Sequence, residues 1–126
     1  MKKILIVEDN EKNMKLVRDI LQHKGFATLE AEMGLEGVRL AKEQKPDLIL
    51  MDIQLPDIDG IEALRLIRED SRLDAIPVLA VSASVMPDDR QKIITSGFDA
   101  FISKPINIKQ FMETVQRYLA SGRNSS

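Results

Sequence analysis

Cysteine and tryptophan are absent from the chain, histidine occurs once, and only five of 126 residues are aromatic. Without thiols there is no disulfide framework, no thiolate zinc or iron–sulfur site and no thiol nucleophile, a pattern that fits a reducing compartment such as the cytoplasm. With so few aromatics there is no stacking platform for bases or sugars. Long apolar runs are missing too: nowhere do about 18 apolar residues follow one another, which excludes a membrane-spanning helix. After Met1-Lys2-Lys3 the apolar run from Ile4 to Val7 stops at Glu8-Asp9, too soon for a signal peptide. Neither sign of charge dominates. With 18 basic and 20 acidic side chains interspersed, no basic stripe exists to attract a phosphate backbone, and direct nucleic-acid binding is not expected.

What is present is an ordinary core: 44% of the residues are hydrophobic, enough for one domain without staples and too short a chain for a second. Four apolar runs, Ile4 to Val7, Leu48 to Met51, Val78 to Val81 and Ala100 to Ile102, are continuous rather than alternating, as parallel strands buried on both faces require. A fifth, Ala27 to Ala31, is interrupted by Glu30. Helical spacing fills the intervals, so the expected class is α/β, a five-stranded parallel doubly wound sheet with five helices. Asp59-x-x-Glu62 has the capping-box pattern and Asn107-x-x-Gln110 a similar one, with Ile106 and Phe111 placed as a hydrophobic staple. Pro87, followed by Asp88 and Asp89, suits a first helical turn. Helices are expected to begin near Asn10, Gly34, Asp59, Pro87 and Asn107, and residues 121–126, small and polar, form a short flexible tail after a domain spanning 1–120.

In an open parallel sheet ligands bind beyond the carboxyl ends of the strands. Glu8-Asp9, Asp52, Ser82 and Lys104 stand at four of those ends, so three carboxylates, a hydroxyl and an ammonium converge on one rim. Carboxylates held close stay ionised only beside a compensating cation. Oxygen donors without histidine or cysteine select a hard metal, and Mg²⁺ that keeps several waters fits a site with few protein ligands. A phosphoryl group is the natural further ligand, because the metal, the lysine and the hydroxyl would neutralise its oxygens and leave a carboxylate as nucleophile.

Each member alone has an ordinary explanation. An aspartate after a strand is commonly a turn or cap residue, Ser82 a small loop residue and Lys104 a solvated lysine. Asp57 and Asp59 are assigned to that ordinary role, as loop and cap. His23, late in the first helix, is read as a favourable C-terminal charge. It is the conjunction at four strand ends that points to a site.

Ile4-Leu-Ile-Val-Glu-Asp-Asn10, Pro46-Asp-Leu-Ile-Leu-Met-Asp-Ile-Gln-Leu-Pro56, Asp59-Gly60, Val81-Ser-Ala83 and Ser103-Lys-Pro105 resemble the receiver domain of bacterial two-component response regulators, over essentially the whole chain. The hydroxyl residue and the lysine stand 30 and 52 positions after Asp52, the intervals such receivers use. The resemblance implies a flavodoxin-like (CheY-like) sheet of strand order 2-1-3-4-5. It implies Asp52 as phosphoacceptor, with Glu8 and Asp9 as the acidic metal pocket and the Gln54 backbone carbonyl as a further Mg²⁺ ligand. It also implies Ser82 as switch hydroxyl, Lys104 as phosphate-binding lysine and a cis peptide before Pro105. Phe101 falls where the family keeps an aromatic that swings inward on phosphorylation; lacking a hydroxyl, it suits the buried rotamer, with plain core packing as the alternative. Gln54 and Ser84 lie where the family tunes the acyl-phosphate lifetime.

A stand-alone receiver without an output domain is expected, and among such chains Asn13-Met-Lys-Leu16, Met51-Asp-Ile-Gln-Leu-Pro56 and Ile102-Ser-Lys-Pro-Ile106 look closest to the DivK type. That resemblance implies a phosphorylation-controlled interaction switch in cell-cycle or cell-fate signalling, catalysing only its own phosphorylation and dephosphorylation. Its partners would be histidine kinases or a histidine phosphotransfer protein, and a downstream protein target. A relay intermediate or a chemotaxis-type regulator is the alternative. An aspartyl phosphatase is disfavoured because Gln54 stands where its general acid would be, and a flavodoxin-like nucleotide binder because Glu8-Asp9 would repel phosphate. At 100° per residue, Met14, Val17 and Leu21 face the sheet while Leu16 points away. With Lys12, Asn13 and Ile20 it forms a mixed patch beside Asp52 suited to a kinase's helical phosphotransfer domain.

Overall fold

The computed structural model describes residues 1–83 and 86–123. Its strands are β1 (Lys3–Val7), β2 (Ala27–Ala31), β3 (Leu48–Asp52), β4 (Val78–Ser82) and β5 (Ala100–Ser103), all parallel, in the order β2-β1-β3-β4-β5. The helices are α1 (Glu11–His23), α2 (Gly34–Gln44), α3 (Gly60–Arg68), α4 (Pro87–Thr95) and α5 (Ile108–Ser121), with a short 3₁₀ turn at Ser71–Leu73. β3 and β4 are buried at every residue, which is why their sequences run apolar without alternation. β2 is an edge strand, so Glu30 can face water and meet Arg18 of α1.

Strand pleating divides the core in two. Ile4 and Ile6 of β1, with Leu48, Leu50, Leu79 and Val81, face α1 and α5 through Met14, Val17, Leu21, Phe111 and Val115. Leu5 and Val7, with Ile49, Met51, Val78 and Ala80, face α2, α3 and α4 through Val38, Ala41, Leu64, Ile67 and Ile93. Each fully buried Leu, Ile or Phe of these layers contributes about 1.5–3 kcal/mol relative to an exposed one. The two layers hold the strand ends, and hence the rim, in a fixed frame.

The helix starts obey local chemistry. Asn10, Asp59 and Asn107 accept from the backbone N–H three residues on, and Pro87 opens α4. The staple residues Ile106 and Phe111 pack into the same core layer. One boundary shifts: Ser121 is still helical, and Arg123 is tied by hydrogen bonds to Asp99 and the Asp74 carbonyl. The expected tail therefore does not begin at 121, because the end of α5 is anchored to the sheet; residues 124–126 lie outside the described residues. Among the described residues no helix is long and apolar enough to cross a membrane.

Candidate functional site

The carboxyl ends of β1, β3 and β4 and the segment after β5 bring Glu8, Asp9, Asp52, Ser82 and Lys104 to one rim. Glu8 directly follows β1 and is held in strand geometry by its N–H to the Ala31 carbonyl (2.9 Å). Its carboxylate accepts from the Asn10 N–H (3.1 Å), while Asn10 itself caps α1, so the chain turns sharply and leaves Asp9 exposed between a buried Glu8 and the helix. Asp52 closes β3, buried, and Ser82 closes β4, also buried. Lys104 is placed by its own N–H on the Ser82 carbonyl (2.9 Å), and the peptide to Pro105 is cis.

The polar contacts converge. The Lys104 Nζ lies 2.8 Å from Glu8 Oε1 and 3.1 Å from Asp52 Oδ2. The other Asp52 oxygen accepts from the Gln54 N–H at 3.1 Å. One carboxylate oxygen each of Glu8, Asp9 and Asp52 lies within 4.8 Å of the others. The loop after Asp52 is pinned by the Gly60 N–H on the Ile53 carbonyl (2.8 Å), and a Cβ on Gly60 would sit 2.5 Å from the Asp52 carbonyl oxygen. Only glycine permits that approach.

Three carboxylates facing one ammonium leave surplus negative charge, and the titration of the site reflects it. Burial, and then the hydrogen bond shared with Asp52, push the Glu8 carboxyl above its ordinary value against the opposing pull of Lys104 and the Asn10 N–H. Burial pulls the Lys104 ammonium down, but its hydrogen bond to Glu8 and the charge of Asp52 outweigh this and leave it raised. Both shifts have one meaning: the rim takes up positive charge more readily than its groups would in water. Its donor set is all oxygen, close-set and partly dry, which suits a hard divalent cation such as Mg²⁺.

The switch and docking candidates are spread around this centre. Phe101 is half-buried, its ring packed on the α2–α4 core layer and covered by the Arg90 guanidinium 4.9 Å from the ring centroid. Met14, Val17 and Leu21 are buried as the helical periodicity requires. Lys12 is exposed and Leu16 is 38% exposed, whereas Asn13 is half-buried and Ile20 packs against the α1–α5 core layer. Gln54 is exposed; Ser84 lies outside the described residues.

Asp57, read from sequence as a plain loop residue, has a more specific place. Its two carboxylate oxygens accept from the N–H groups of Gly34 (2.8 Å) and Leu35 (2.9 Å), capping α2, whose own N-cap, Met33, offers no side-chain acceptor. The sequence did hold a signal: a helix start with an apolar residue at the cap needs an acceptor from elsewhere. A second ionic cluster, Arg68 with Asp99 and Arg123 at the opposite edge of the sheet, was not anticipated at all.

Comparison with known proteins bears on this rim. Residues 4–116 match the response regulator receiver domain. Over 118 residues the chain is 48% identical to the polar-differentiation response regulator DivK of Brucella anthropi, covering 94% of this chain and 96% of that protein, and the DivK of Brucella ovis matches to the same extent. Among solved structures, the receiver domain of the sensor histidine kinase PA1611 from Pseudomonas aeruginosa superposes with a TM-score of 0.88 at 31% identity, covering 94% of this chain and 98% of that one; it has a magnesium ion coordinated in its active site cleft. The chemotaxis protein CheY4 of Vibrio cholerae superposes at 0.86 with 27% identity, covering 93% and 98%. With a five-stranded sheet in the order 2-1-3-4-5, an acidic rim at its carboxyl edge and a family match over most of its length, this chain belongs to the response regulator receiver domain family.

Proposed function

We propose that the chain is a phosphorylation-controlled interaction switch: a histidine kinase or histidine phosphotransfer protein gives its phosphoryl group to Asp52, and the altered surface binds a downstream protein. The observation that carries this reading is the Lys104 ammonium lying between Glu8 and Asp52, with Asp9 within ligand distance of both. In the transfer, the Asp52 carboxylate forms the new P–O bond as the P–N bond of phosphohistidine breaks; the imidazole leaves with the electron pair and takes a proton from water. Lys104 exchanges its carboxylate partner on Asp52 for a phosphoryl oxygen, and the Ser82 hydroxyl, one strand away, donates to another. Glu8, Asp9, Asp52 and the Gln54 carbonyl would hold Mg²⁺, which when bound supplies positive charge facing the phosphoryl oxygens. Ser82, Phe101 and Pro105 form the switch that reads the new charge, and Lys12, Asn13, Leu16 and Ile20 the docking patch for the phosphodonor. Similarity to Brucella proteins named for polar differentiation supports a role in cell-cycle or cell-fate signalling, and the cysteine-free composition fits a place in the cytoplasm.

Incubation with acetyl phosphate and Mg²⁺, followed by mass mapping of the trapped acyl phosphate, tests this. The expected result is one phosphoryl group per chain on Asp52, and none in Asp52→Asn, which keeps the fold. Undiminished incorporation in that variant overturns the assignment.

A further inference from the structure

We propose that Asp57 is a positioning residue for the Asp52 site, acting by docking the loop between β3 and α3 onto the first turn of α2. The proposal rests on the reading of Asp52 as phosphoacceptor. That loop begins at the acceptor itself and has four anchors among the described residues: the Ile53 N–H on the Val81 carbonyl, the Gln54 N–H on Asp52, the Gly60 N–H on the Ile53 carbonyl, and the Asp57 carboxylate on the Gly34 and Leu35 N–H groups. The first fastens the opening residue of the loop to β4, and the last ties its middle to α2. Two glycines of α2 make the docking close. A Cβ on Gly34 would fall 2.6 Å from Ile58 Cγ1, and a Cβ on Gly37 would fall 2.7 Å from Val7 Cγ2. Val7 directly precedes Glu8. The first turn of α2 therefore touches both the strand that ends in the acidic pair and the loop that leaves Asp52, and it sets the spacing between them. A carboxylate suits this task because both its oxygens are used at once, each on a backbone N–H at the positive end of a helix. Outer partners of this kind commonly govern how well an oxygen site holds its cation.

The test compares wild type with Asp57→Ala and Asp57→Asn, and with Asp70→Ala as a control that removes a similar cap, the bond from the Arg72 N–H to Asp70, from the distant 3₁₀ turn. Amide hydrogen exchange is followed in metal-free protein, and Mg²⁺ affinity by calorimetric titration. Asp57→Ala is expected to speed exchange of the Gln54 amide about tenfold and to weaken Mg²⁺ binding by about the same factor, with Asp57→Asn, which keeps one acceptor, in between. Asp70→Ala is expected to change neither. A fall in melting temperature for Asp57→Ala with Gln54 exchange and Mg²⁺ affinity unchanged overturns the proposal, leaving Asp57 as a cap for α2 alone. If wild type accepts no phosphoryl group on Asp52, the functional reading fails, while Gln54 exchange still decides whether Asp57 positions the loop.

Discussion

Among the described residues two buried ionic clusters stand at opposite edges of the same sheet, and they are built on opposite principles. At the carboxyl edge the Glu8, Asp52 and Lys104 side chains are 5%, 6% and 16% exposed; at the amino edge Asp99 and Arg68 are 5% and 19% exposed, so burial does not distinguish them. Satisfaction does. Asp99 accepts from the Arg123 Nε (3.1 Å) on one oxygen and from the Val78 N–H (2.9 Å) and Arg68 (3.4 Å) on the other, while its backbone carbonyl accepts from the Tyr118 hydroxyl (2.7 Å). Arg68 also donates to the Leu73 and Ile76 carbonyls, and only its Nε finds no partner. That cluster is closed, and it ties α3, β4, β5 and α5 together. The rim at the other edge keeps three carboxylates for one ammonium and stays open on the Asp9 side. At the amino edge nearly every buried polar atom has a hydrogen-bond partner, whereas the rim leaves negative charge in surplus, at a cost in stability.

The largest expected effect is at the amino edge. Asp99→Ala strands two guanidinium groups and the Val78 N–H, so it should destabilise by about 3–5 kcal/mol, a fall in melting temperature of roughly 10 °C or more. Phosphoryl uptake by the folded fraction should survive. At the rim the sign reverses: Asp52→Asn relieves carboxylate crowding and should raise the stability of metal-free protein by about 1 kcal/mol in denaturant titrations. Saturating Mg²⁺ should shrink that gap, because wild type gains more from the cation. A stabilised Asp99→Ala or a destabilised Asp52→Asn would erase the distinction between the two edges.

The rim was legible in the sequence and the amino-edge cluster was not, for a physical reason. In a parallel sheet every strand delivers its last residue to the same edge, so Glu8, Asp52, Ser82 and Lys104 could be brought together from strand ends alone. The caps at Asn10, Asp59 and Asn107 were legible because their partners lie three residues away. Asp57 reaches N–H groups 22 and 23 residues upstream, and Arg68 and Asp99 are 31 residues apart. Such contacts depend on how helices settle against the sheet, which no local pattern encodes. Read along the chain, Arg68, Asp99 and Arg123 are three ordinary surface charges. The edge strand β2 gave a weak signal for a related reason: of its five residues only Ala31 is fully buried, so Glu30 is tolerated there.

Arg123→Ala should have a smaller effect than Asp99→Ala, about 1 kcal/mol or less. It removes the bonds to Asp99 and to the Asp74 carbonyl, but Arg123 is a third exposed and repels Arg68. Burial first, and then the Arg123 charge, pull the Arg68 guanidinium down, with Asp99 opposing. Losing Arg123 therefore weakens one bond while easing another. Melting curves that put Arg123→Ala level with Asp99→Ala would mean that the anchored end of α5, rather than Asp99, holds this edge together.

Glu8→Gln should give the smallest effect, and one that depends on pH. Burial and the hydrogen bond with Asp52 raise the Glu8 carboxyl above its ordinary 4.5 in the folded chain. A carboxyl raised by folding binds its proton more tightly folded than unfolded, so its stabilising contribution is complete below the ordinary value and is lost as pH rises through the folded one. Glutamine does not titrate. In metal-free protein the melting temperature of Glu8→Gln should therefore climb relative to wild type as pH rises above the ordinary 4.5 and through the raised folded value, as wild type comes to hold an ionised Glu8 in this buried, acidic rim. With Mg²⁺ present the slope for wild type should flatten, since the cation takes the place of the proton. A difference between the two proteins that is independent of pH in the metal-free state would mean that Lys104 alone satisfies Glu8, and the rim would then be a closed ion pair of the same kind as the one at the opposite edge.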